Sequence, residues 1–183
     1  MAVAKFLVCL LLHLVSSQDD SSDPIVNTLT GKVSGLKEET PAGNQFYKFL
    51  GIPYAETPID ELRFKDPIAK QPWSGILNAT EFANECIQRS YTTPVTLIGS
   101  EDCLYLNIYT PSLPKPGYQV RKSLKPVMFW IHGGGLTEGD GKMDPTLLLD
   151  EDVLVVAVNY RLGPFGFIAL EGNPDLASIT RIV

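Results

Sequence analysis

This sequence predicts an α/β domain built on a mixed, mostly parallel central sheet. Two features carry the expectation. Val127-Met128-Phe129-Trp130-Ile131 and Val153-Leu154-Val155-Val156-Ala157-Val158 are continuous apolar runs, the pattern of strands buried on both faces. A connection of about twenty residues separates them, long enough for the helical crossover of a βαβ unit. Composition agrees. With 44% hydrophobic and 20% charged residues, the 183-residue chain reads as one globular domain.

The elements follow in chain order. Met1–Lys5 is a short basic start and Phe6–Val15 an apolar stretch. Val15-Ser16-Ser17 supplies small residues for cleavage. Residues 1–17 therefore read as a secretory signal peptide, too short for a membrane span. No later apolar stretch is long enough for one, so no membrane span is expected in this chain. The domain proper is expected over 18–176, with 177–183 as a divergent tail. After a polar start, Asn27 to Ala55 is strand-like. Thr28, Val33, Phe46, Tyr47, Phe49 and Ile52 favour strands, and Gly31, Gly35 and Pro41-Ala42-Gly43 punctuate an antiparallel hairpin region. Pro58, Pro67 and Pro72, with Pro53 just before them, make 56–75 an extended passage of loops. Leu104–Tyr109 alternates as a strand does, and Thr146–Leu149 is the one helical stretch expected between the two apolar runs. The chain carries a formal net charge of −6 and no Lys/Arg cluster, which argues against a nucleic-acid partner.

Secretion governs the cysteines. Once residues 1–17 are removed, Cys86 and Cys103 remain. An even pair in an oxidising compartment predicts a disulfide, worth about 3 kcal/mol on the chain-entropy account; two free buried thiols are the alternative. Asn78-Ala79-Thr80 is an N-glycosylation sequon placed just after the loop Pro72–Gly75. The chain has no Cys/His cluster of the kind zinc needs, and no metal or organic cofactor is implied.

The chemistry is concentrated in His132-Gly133-Gly134-Gly135, directly after the first apolar run. Acyl transfer passes through an oxyanion that needs preorganised donors, and backbone N–H groups supply them. Successive glycines let the chain turn with no Cβ in the way. A strand followed by HGGG is the oxyanion loop of lipases and esterases. The plain alternative is a glycine-rich turn.

Other segments join it in order: Gly51-Ile52-Pro53-Tyr54-Ala55, Leu62-Arg63-Phe64, Pro72-Trp73, Glu101-Asp102-Cys103-Leu104-Tyr105-Leu106-Asn107, Asn159-Tyr160-Arg161-Leu162-Gly163 and Gly166-Phe167. With these the sequence resembles the type-B carboxylesterase and cholinesterase family, insect esterases among them, from about Thr30 to about Leu176. The resemblance implies the N-terminal part of an α/β-hydrolase fold. It implies that Gly134 and Gly135 give two oxyanion-hole donors, that Cys86 and Cys103 form the family's first disulfide, and that Arg63 and Glu101 form a structural ion pair. His132 matches a loop residue and not the general base. The substrate implied is a small-molecule carboxylic ester.

Hydrolysis on this fold also requires a serine in G-x-S-x-G, then an acid and a histidine. No G-x-S-x-G occurs, and His132 is the only histidine left after signal cleavage. The chain as written is thus expected to be truncated before its triad and inactive alone. Relatives continue after Leu170 into G-N-x-G-L-x-D-Q, which supplies an acid for the arginine matching Arg161. Here Ala177–Val183 departs from that pattern. Three readings stay open: a parent serine esterase with an acyl-enzyme mechanism, a triad-less adhesion or binding protein such as the neuroligins, and a truncated product without function. The loop between Cys86 and Cys103 has no Trp to stack on a choline cation, so choline esters are not expected as substrates. An unpaired apolar edge is expected at Val153–Val158, and with it a segment that does not fold alone.

Overall fold

The structure, a computed structural model, describes residues 23–113 and 124–168. The segment 1–17 read as a signal peptide and the tail 177–183 lie outside these residues. The strands are β1 (Ile25–Asn27), β2 (Lys32–Ser34), β3 (Leu36–Glu39), β4 (Gln45–Pro53), β5 (Ile76–Asn78), β6 (Gln88–Arg89), β7 (Leu97–Ile98), β8 (Tyr105–Thr110), β9 (Val127–Ile131) and β10 (Leu154–Val158). The helices are α1 (Thr146–Leu149) and α2 (Gly163–Phe167).

The central sheet has the order β3-β4-β8-β10-β9. It is mixed, as expected. The ladders β3–β4, β4–β8 and β8–β10 are antiparallel, and β9–β10 is parallel. Within the described part of this sheet, then, the parallel ladder belongs to the βαβ unit, with α1 in its crossover. The hairpin read between Asn27 and Ala55 is β3–β4, closed over Thr40–Asn44 by paired backbone bonds.

Strand β4 shows how the sheet faces are set. Phe46 and Leu50 join Tyr109, Val155 and Leu149 of α1 in one core layer. Phe49 and Ile52 point the other way, into a layer with Val33, Ala79 and Trp73 beneath the small sheet β1-β2-β5. Strict alternation would put Ile52 with Leu50. A register shift between Phe49 and Ile52 breaks it. Gly51 sits in that bulge at φ 66°, where a Cβ would meet Glu81 O at 2.8 Å. The bulge costs a ladder bond at Gly51 N–H, which instead donates to Asn107 Oδ1 at 2.9 Å.

Two expectations are corrected. Strand β10 is not an edge: β8 and β9 flank it, and Val155, Ala157 and Val158 are fully buried. Strand β9 is the edge at that end of the sheet, and it is not buried on both faces, for Val127, Met128, Phe129 and Ile131 are each about half exposed. An apolar run declares that a strand can be buried on both sides. It does not encode the strand order, which the crossover and the β8–β10 pairing decide.

Candidate active site

His132 to Gly141 forms a loop at the C-terminal end of β9. Gly134 adopts φ 110° and Gly135 φ 61°, followed by Leu136 at 64°. Such positive φ values in succession are costly for residues with a side chain, which explains the glycines. At Gly134 a Cβ would be driven into Glu138, 2.7 Å from its carbonyl carbon; at Gly135 it would meet nothing within 4 Å. The loop therefore folds back on itself beneath Gly134 and opens outward at Gly135. Thr137 N–H donates to Gly134 O at 3.1 Å and closes the turn. Among the described residues, the N–H groups of Gly134 and Gly135 have no acceptor, and both glycines are exposed.

Buried polar groups anchor the loop at each end. Near β9, the Tyr160 hydroxyl donates to His132 O at 2.7 Å, and the two rings stack at 4.3 Å. His132 Nδ1 lies 2.8 Å from Gly133 O, so this nitrogen carries the proton, because a carbonyl only accepts. His132 Nε2 is buried without a partner among the described residues. Fixed in this way, the imidazole is occupied in holding the loop. At the far end, Gln88 Nε2 donates to Gly139 O at 3.0 Å and Gly139 N–H donates to Gln88 Oε1 at 2.8 Å. Gly141 is held twice: Asn107 Nδ2 donates to its carbonyl at 3.0 Å, and its N–H donates to Asn159 Oδ1 at 2.6 Å. Asn107 thus ties the β4 bulge to the glycine loop. Further along, Gly163 N–H at the start of α2 donates to Leu136 O at 2.7 Å.

Cys86 and Cys103 are joined by a disulfide across 17 positions. Both are buried, packed with Ala55, Leu104, Tyr160 and Leu162. Arg63 meets Glu101 through a bidentate pair, Nε to Oε2 at 2.6 Å and Nη2 to Oε1 at 2.7 Å. The carboxylate, through these bonds, raises the arginine's pKa above its ordinary value. Arg161 is buried; Nη2 donates to Lys65 O at 2.8 Å, and Nη1 has no hydrogen-bond acceptor among the described residues. Burial lowers its pKa, opposed by Tyr54 and Asp66. Asn78, the sequon residue, is exposed on β5, the edge of the small sheet.

Gly134 and Gly135 thus lie together on one anchored loop. The disulfide lies with Arg63, Glu101, Phe64, Phe165 and Arg161 around a pocket whose lining includes neither glycine. Reading motifs alone missed the anchors Gln88, Asn107, Asn159 and Tyr160. Asn107, inside the alternating run of β8, and Asn159, directly after the apolar run of β10, were visible as amides at positions where a buried polar group must find a partner. Gln88 carried no comparable signal. Its partner lies 51 positions away.

The sequence pattern described as the Carboxylesterase family matches residues 22–177. Venom carboxylesterase-6 of Apis mellifera is 38% identical over 169 residues, covering 90% of this chain and 29% of that protein. Juvenile hormone esterase of Tribolium castaneum is 43% identical over 152 residues, covering 81% and 25%. Acetylcholinesterase of Danio rerio is 39% identical, covering 92% and 28%. Among solved structures, juvenile hormone esterase from Manduca sexta superposes with a TM-score of 0.71 at 35% identity, covering 81% of this chain and 28% of that one. The chain spans less than a third of the length of each of these relatives. The match over most of its length shows that the chain belongs to the carboxylesterase family and has the corresponding part of an α/β-hydrolase esterase fold.

Proposed function

We propose that this chain is the oxyanion-loop portion of a secreted serine ester hydrolase. The observation that carries the reading is the pair of N–H groups on the exposed residues Gly134 and Gly135, free of acceptors among the described residues and held on an anchored loop. In acyl transfer, a serine attacks the ester carbonyl and its oxygen becomes an oxyanion. Two fixed amide donors stabilise that charge without reorganising, and removal of one such donor costs about 10²–10³ in kcat. The same serine then carries the acyl group until water releases it. Nucleophile, acid and base would come from residues beyond those here.

The substrate is an uncharged carboxylic ester rather than a choline ester, since the loop between Cys86 and Cys103 offers Tyr91 as its only aromatic. Asn78 carries an N-linked glycan on its exposed edge strand, in keeping with a secretory leader. Retention of the glycine loop favours an enzyme over an adhesion module, which has no oxyanion to stabilise.

The test begins with the transcript read through codon 176. A product continuing into G-x-S-x-G, expressed in full and assayed with p-nitrophenyl butyrate and a choline ester, is expected to cleave the first and not the second. A full-length product without ester turnover would overturn the hydrolase reading. Turnover of the choline ester would overturn the substrate class alone.

A further inference from the structure

We propose that Gln88 is the positioning residue for the two donor amides, and that it makes the disulfide-closed loop part of the acyl-transfer machinery. The inference deepens the esterase reading and rests on it.

Gln88 lies in β6, two residues after Cys86, inside the loop that the disulfide closes. It is buried, and every polar atom of its amide is used. Oε1 accepts from Gly139 N–H at 2.8 Å, while Nε2 donates to Gly139 O at 3.0 Å and to Cys86 O at 3.2 Å. The amide orientation is forced, because a flip would set oxygen against the Gly139 carbonyl and NH₂ against its N–H. A side chain that copies a backbone ladder in this way fixes Gly139 in position and angle together.

Gly139 in turn fixes the donors. It adopts φ 110° and packs against His132 and Gly133, with room for no Cβ: one placed there would lie 2.8 Å from Gly133 O. Glu138, its neighbour, forms the floor under Gly134. A shift of Gly139 therefore moves Glu138, and with it the support of the Gly134 amide. The loop holding Gln88 thus grips the residue next to the one on which the donor turn rests.

The test uses the full-length protein and the variants Gln88→Ala and Gln88→Glu. The glutamate keeps an acceptor for Gly139 N–H and loses the donor to Gly139 O. Displacing the donors without removing them should lower kcat by about 10- to 100-fold in Gln88→Ala, less than outright loss of a donor, with KM changed by less than about threefold. Gln88→Glu should fall between it and the wild type. Amide hydrogen exchange over residues 133–141 should quicken by about tenfold or more, as expected when a buried N–H loses its acceptor, while β8 and β10 keep their protection. An unchanged kcat, or a rise in KM alone, would overturn the proposal, as would unchanged exchange in the loop. If the wild type cleaves no ester, the hydrolase reading fails by itself, and the exchange measurement still decides whether Gln88 holds the donor turn. If Gln88→Ala does not fold, both readouts are taken on Gln88→Glu.

Discussion

Gly134→Ala and Gly135→Ala differ by one position and should differ sharply in consequence. Both residues have positive φ, so both substitutions strain the backbone, by about 1–2 kcal/mol in the left-handed region. Gly135, at φ 61°, sits inside that region, and its Cβ would enter open space. Strain is then its whole cost. Gly134, at φ 110°, lies outside the left-handed well, and its Cβ would be driven into the Glu138 backbone. A clash against backbone cannot be relieved by a rotamer change, and overpacking of this kind adds about 1–3 kcal/mol. Gly134→Ala should therefore destabilise by about 2–5 kcal/mol in total, roughly 1–3 kcal/mol beyond Gly135→Ala. Guanidinium unfolding of the two full-length variants, followed by fluorescence, measures the difference. Relief of the clash must also swing the Gly134 amide, so kcat should fall by about 10²-fold or more. Equal unfolding midpoints for the two variants would refute the back-folded loop on which this reasoning stands.

Tyr160→Phe removes the donor to His132 O and leaves a buried carbonyl unpaired, at a cost of about 1–3 kcal/mol; thermal unfolding unchanged from wild type would show that the hydroxyl does not anchor the loop. Asp150 accepts from Thr40 Oγ1 at 2.6 Å and Asn44 Nδ2 at 2.9 Å, and these bonds, Thr40 foremost, hold its pKa below the ordinary carboxylate value. A depressed pKa means stability that is present above the unfolded-state value and lost as pH falls through the folded one. Asp150→Asn should accordingly flatten the stability profile below about pH 4 and leave its slope at neutral pH alone, read from denaturant titrations across pH. The 183-residue chain on its own should self-associate through the exposed apolar β9. Phe129→Lys should raise the monomer fraction in sedimentation velocity; a wild-type chain that is monomeric with a sharp cooperative melt would sink this.

Much of the local structure was legible because its cause is local. The apolar run Val127–Ile131 became β9, and Val153–Val158 contains β10, since continuous apolar residues suit a strand inside a layered sheet. Thr146–Leu149 became α1 with the bounds expected. Gly134 and Gly135 could be picked out because successive glycines announce backbone shapes closed to other residues. Relations between distant segments were not legible. The edge was assigned to β10 and belongs to β9, for two apolar strands carry no label saying which is outermost. The clamp of Gln88 on Gly139 depends on a 51-residue separation that no periodicity records.

By itself, the sequence determined the family, the hairpin region before Ala55, the strands β8, β9 and β10, the crossover helix and the glycine turn, because each rests on residue chemistry or on neighbours close in the chain. The tertiary structure alone decided the strand order, the bulge that recruits Asn107, and the anchoring of the donor loop by Gln88, Asn159 and Tyr160. A buried polar group must find its partner wherever the folded chain brings one within hydrogen-bond reach, and only the assembled sheet sets that distance.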